Sequence, residues 1–195
     1  MIGLKCFFNA SFLSCLILLG INQFVFTPCQ CQTPVTSKIF ADKTKSSVTY
    51  SLSHPLHKWD GTSKDVSSLI VYNRGSKIIE NVAVAIKIGS FDSENANRDS
   101  HTIEVLEAIK IPNVTFTSTS IKAEGEDLKV TGNLTFHGVS KPITFTAKAK
   151  NNGKELSVSG NFEIKITDFQ ITPPSLMGIA TEDLIKLRFS VTYNL

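Results

Sequence analysis

The run IKLRFSVTYN (residues 185–194) sets Ile185, Leu187, Phe189, Val191 and Tyr193 in strict alternation with Lys186, Arg188, Ser190, Thr192 and Asn194. A period of two places every apolar side chain on one face of an extended strand and every polar one on the other. The same pattern recurs upstream. Val48, Tyr50 and Leu52 share a face, as do Val82, Val84, Ile86 and Ile88, then Val114 and Phe116. In the second half the inward sets are Leu128, Val130, Leu134 and Phe136, then Ile143, Phe145, Ala147 and Ala149, then Leu156, Val158, Phe162, Ile164 and Ile166. Residues 62–72 form a further strand whose register Val66, Leu69, Ile70, Val71 and Tyr72 leave open.

Turn signals separate these runs at Asn73-Arg74-Gly75, Glu124-Gly125-Glu126, His137-Gly138 and Asn151-Asn152-Gly153. Such connections are too short for crossover helices, so neighbouring strands run antiparallel. The expectation is an all-β domain of about eight strands, closed as a barrel or packed as a sandwich. Small residues on the inward face (Ser118, Gly132, Ala147, Ala149 and Gly160) suit either a barrel with internal space or an unevenly packed core. One interval breaks the pattern. In residues 92–110, Ile103, Leu106 and Ile109 stand at near-helical spacing, predicting a long loop with one short helix across the barrel.

The N-terminus differs in kind. No charged side chain lies between Cys6 and Phe26, and Lys5 alone precedes them, the pattern of a secretory signal spanning 1–31. Residues 32–45 read as a polar lead and 46–195 as the β-domain. All four cysteines (6, 15, 29 and 31) lie in the segment to be removed, so the exported chain depends on burial and backbone pairing. Lipoprotein anchoring fits less well, because Pro28 precedes Cys29. About 160 residues then remain, enough for one domain. With 20 basic against 17 acidic residues and no basic cluster, the chain is not read as a nucleic-acid binder.

Five stretches are specific enough to carry a resemblance: SVTYSLSHPLHKWDG (47–61), SFDSENANRDSH (90–101), IPNVTFTSTSI (111–121), VTGNLTFHGVSKPI (130–143) and TDFQITPPSLM (167–177). In order and spacing they resemble the YceI-like family across nearly the whole β-domain. The resemblance implies a lipocalin-like, eight-stranded antiparallel barrel, periplasmic or secreted, that holds a polyisoprenoid, an isoprenoid quinone or a similar long-chain lipid. It favours the open barrel over the filled one. The chain departs from the family pattern at His54-Pro55-Leu56-His57, where a single histidine and a plain loop are usual. That leaves the head-group preference open.

For such a ligand, Tyr50, Leu52, Phe116, Phe136, Phe145, Phe162 and Phe189 are the candidate apolar walls, with Leu176 and Met177 as a lip at the mouth. His54, His57, Arg98 and His101 are the candidate polar mouth, able to orient a head group while the tail supplies affinity. Packing and loop scaffolding are the structural alternatives for these residues. The rival function is a metal-dependent or redox enzyme using His54, His57, His101 and His137, since histidine is a common metal ligand. No HExxH, cysteine pair or dense carboxylate set accompanies those histidines, and Asp92–Asn97 lacks the glycine and the twelfth-position glutamate of a calcium loop. GxSxG and P-loop motifs are absent as well. The expectation is a binding protein without catalytic residues, metal or cofactor, in which an exposed barrel seam would allow a homodimer.

Overall fold

The computed structural model describes residues 36–176 and 178–195, apart from the side chain of Leu176. The expected signal segment, its cysteines and Met177 lie outside the described residues. In chain order the strands are β1 (Thr36–Phe40), β2 (Ser47–His54), β3 (His57–Ser63), β4 (Val66–Asn73) and β5 (Ile78–Lys87). Helix α1 (Ala96–Val105) follows, then β6 (Asn113–Glu124), β7 (Asp127–Phe136), β8 (Val139–Asn151) and β9 (Glu155–Lys165). A short hairpin of β10 (Ser175–Leu176) and β11 (Ile179–Ala180) precedes β12 (Leu184–Asn194).

Every pairing is antiparallel. β4 through β9 follow one another as a meander, β12 joins β9, and β2 joins β12. β1 pairs β4 from Thr36 opposite Asn73, and β2 pairs β3 up to His54 opposite His57, so these four segments are the two arms of one long hairpin. Counting each broken arm once turns the ten segments of the sheet into the eight staves read from the sequence. The ring closes where the first arm bends. There the Ala41 N–H donates to Ser68 O at 2.8 Å and the Asp42 N–H to Thr192 O at 2.7 Å. A one-turn helix at Lys43–Lys45 makes the bend, capped by the Asp42 carboxylate, which accepts from Thr44 N at 2.9 Å.

The barrel takes in Thr36–Phe40, which the sequence reading placed in the polar lead. Only Ile39 of that stretch is buried, so no alternation is visible over so short a run. The open register of residues 62–72 resolves with Val66, Ser68, Ile70 and Tyr72 buried. On β6 an irregularity between Ser118 and Ser120 shifts the period by one. Ile121 thereby reaches the interior, and Ser118 accepts from Val82 N at 2.9 Å.

One end of the barrel is packed shut by Ile39, Ile70, Leu156 and Val191. Two tyrosines complete the plug. The Tyr193 and Ser68 hydroxyls share a hydrogen bond of 2.7 Å, and Asn151 donates to the Tyr72 hydroxyl at 3.0 Å. Burying a phenol without such a partner costs stability, and each hydroxyl here has one.

Candidate functional site: an apolar cavity with a polar mouth

Three inward glycines explain why the interior is not filled. A Cβ on Gly61 would collide with the Tyr50 ring, one on Gly132 with the Phe116 ring, and one on Gly160 would stand 2.8 Å from the Phe189 ring. Each aromatic ring thus lies against the sheet over a missing side chain instead of projecting across the lumen. Phe145 gathers the rings on the wall. It stacks on Phe162 at 4.9 Å between centroids, and Phe116 and Phe189 stand 5.5 and 5.7 Å away.

What remains is a cavity of about 640 Å³, within the range of small-molecule sites. All seven expected wall residues line it: Tyr50, Leu52, Phe116, Phe136, Phe145, Phe162 and Phe189. The expected lip residues, the Leu176 side chain and Met177, lie outside the described residues. Burial raises the pKa of the Tyr50 phenol above its ordinary value.

The mouth lies at the end formed by the β2–β3 turn, α1 and the connection from β9 to β12. His54, His57, Arg98 and His101 all line the cavity there. His54 and His57 are directly opposed across a two-residue turn, so both face the same side, and their rings are 5.4 Å apart. His54 is 3% exposed. Its Nδ1 accepts from Leu56 N at 3.2 Å, so the proton sits on Nε2, which donates to Ile179 O at 3.0 Å. That bond ties the β2–β3 turn to the β10–β11 hairpin.

The interval 92–110 carries the one short helix expected from the sequence, and Arg98, Asp99 and His101 belong to it. They stand on the first turns of α1, where Asn95 caps the helix by accepting from Arg98 N at 3.1 Å. Asp99 does the scaffolding, accepting from Ser93 N at 3.2 Å and from the Ser93 hydroxyl at 2.6 Å. Arg98 turns instead to the mouth, its guanidinium carbon 5.1 Å from the centroid of the Trp59 ring. Trp59 in turn packs against the His57 ring at 5.1 Å.

Trp59 was missed by sequence reasoning although it lies two residues from His57 on the same strand face. The inward face of β3 reads His57, Trp59, Gly61 and Ser63, with no aliphatic residue to mark it as inward. Thr102, Val105 and Leu106 of α1 and its following turn also line the cavity. Of the residues expected at helical spacing, Leu106 faces inward, whereas Ile109 is 91% exposed. The helix ends at Val105, and Glu107, at φ 46°, turns the chain away from it.

His137 does not join the other histidines. It sits at the β7–β8 turn with φ 49°, and its Nδ1–H donates to Phe169 O at 3.3 Å. Its Nε2 faces Glu107 at 3.8 Å, and it does not line the cavity. Among the described residues, no group of three or more His, Cys, Asp or Glu is placed to hold a metal ion. The four-histidine ligand set therefore has no geometric basis.

Comparison with known proteins agrees with this geometry. The Campylobacter jejuni YceI protein superposes with a TM-score of 0.59 at 33% identity, covering 69% of this chain and 84% of that one. Burkholderia cenocepacia BcnA gives 0.70 at 22% identity, covering 78% and 98%. A domain from Saccharophagus degradans described as polyisoprenoid-binding gives 0.63 at 14% identity over 82% and 99%, a likeness of fold. In sequence, the chain is 36% identical over 153 residues to Protein YceI of Salmonella newport, covering 74% of this chain and 78% of that protein. The family model for the YceI-like domain matches residues 41–193, and the chain belongs to the YceI-like family.

Proposed function

We propose that this protein is an exported carrier or sequestering protein for a long-chain lipid of the polyisoprenoid or isoprenoid-quinone class. The observation that carries the reading is the cavity itself, walled by aliphatic and aromatic side chains, with its charged and histidine groups confined to one mouth. Burying one methylene contributes about 0.8 kcal/mol, so a tail of some twenty carbons offsets the cost of immobilising it and still reaches about micromolar affinity without any polar contact. His57, Trp59, Arg98 and His101 would then orient the head group. A domain of the same fold described as polyisoprenoid-binding supports the choice of ligand class.

Export through cleavage near residue 31 belongs to the same proposal, because the membranes on either side of a bacterial periplasm are where such lipids reside. Catalysis has no part in it. Mass spectrometry of an apolar extract from the purified protein, with metal analysis of the same sample, tests the reading. A stoichiometric lipid supports it. A protein that carries no lipid and retains stoichiometric metal, lost on His57→Ala and His101→Ala, would overturn it in favour of the metal enzyme.

A further inference from the structure

Among the described residues, three large apolar side chains are left in solvent at the mouth end of the barrel. Leu56, at the tip of the β2–β3 turn, is 64% exposed; Ile109, beyond α1, is 91% exposed; and Ile179, at the tip of the β10–β11 hairpin, is 43% exposed. A single exposed leucine or isoleucine is ordinary. Here they occupy three separate turns at one end of the barrel, whereas the other exposed large apolar residues among the described ones, Phe40 and Ile78, lie toward the plugged end.

We infer that Leu56, Ile109 and Ile179 seat the mouth on the surface of a zwitterionic lipid bilayer, an inference that rests on the carrier reading above. The ligand class proposed above partitions into bilayers, and the three side chains stand on turns at the barrel end that holds His57, Arg98 and His101. A tail could therefore pass from acyl chains to the barrel wall without crossing water. The turns at this end carry no excess of positive charge: Lys58, Arg98 and Lys110 stand among Asp99, Glu104, Glu107, Glu182 and Asp183. Insertion of apolar side chains, not attraction to anionic lipid, would drive the contact.

A second copy of the chain fits this surface poorly. A stable interface buries roughly 800 Å² of each partner. These are single side chains on three separate turns, set among exposed charged residues such as Lys58, Glu104 and Lys110.

Trp59, the single tryptophan, stands at the mouth and reports the contact. The full chain is titrated with phosphatidylcholine vesicles brominated near the head group, and Trp59 fluorescence is followed, since bromine quenches only at contact range. Saturable quenching that reverses when the vesicles are removed is the expected result. The triple variant Leu56→Ser, Ile109→Ser, Ile179→Ser should need at least tenfold more lipid for the same quenching.

Attachment through the apolar N-terminal segment alone would leave Trp59 unquenched and overturn the inference. So would equal quenching of the triple variant, or quenching that persists after vesicle removal, which marks lipid taken into the cavity. Self-association without vesicles that the triple variant loses would assign the rim to a second copy instead. Lipid extracted from a protein whose Trp59 is never quenched would refute the docking and leave the carrier reading standing.

Discussion

The Phe189 ring lies directly across the β9–β12 ladder from Gly160, and a Cβ on Gly160 would stand 2.8 Å from it. Gly160→Ala should therefore push the ring off the wall and into the lumen. Overpacking of this kind costs about 1–3 kcal/mol. Urea unfolding should show that loss, and the variant should retain less lipid per mole of folded protein.

Phe145 is the meeting point of the wall aromatics. Phe145→Asp should abolish lipid retention and impair folding, because an unpaired carboxylate in an apolar lumen is strongly disfavoured. Phe145→Leu should fold and still carry lipid. Lipid content by mass spectrometry, alongside the thermal midpoint, separates the two.

Arg98 and Asp99 are neighbours with different tasks. Arg98→Ala removes the head-group contact proposed at the mouth together with the contact to the Trp59 ring, so the lipid should dissociate several-fold faster while stability falls by no more than about 1 kcal/mol. Asp99→Ala removes the acceptor for Ser93 N and its hydroxyl, and should cost about 1 kcal/mol of stability. Unfolding of the Arg98→Ala protein would reassign that residue to scaffolding.

Burial pushes the Tyr193 phenol up to about 12 in the folded protein, against an ordinary value of 10.0. The folded state thus keeps a proton that the unfolded chain releases between these values. Its contribution to stability is fully present below pH 10 and is lost as pH rises towards 12. Tyr193→Phe should be destabilising by about 1 kcal/mol at neutral pH, through the lost Ser68 bond. The same variant should unfold less steeply between pH 10 and 12 than the parent chain does.

The alternation in β2, β7, β9 and β12 names their buried faces correctly because a strand's period is fixed by backbone geometry alone. Wherever a strand carries several aliphatic residues, its inward side chains are legible, and with them the wall from Tyr50 to Phe189. Where the inward face is polar or small, as on β3, the signal vanishes, and Trp59 goes unnoticed beside His57. The bulge in β6 hides Ile121 in the same way, by shifting the period within one run.

The sequence by itself determined an antiparallel β-domain, its inward residues and the polar groups near the turns, since each follows from neighbours along the chain. Only the tertiary structure decided that side chains leave space in the lumen, because that depends on Gly61, Gly132 and Gly160 each meeting an aromatic ring from another part of the chain. It likewise decided which histidines share a mouth. His54 and His57 meet across a turn, and α1 brings His101 to the same cavity, while His137, on the β7–β8 turn, is kept out of its lining by contacts with Phe169 and Glu107.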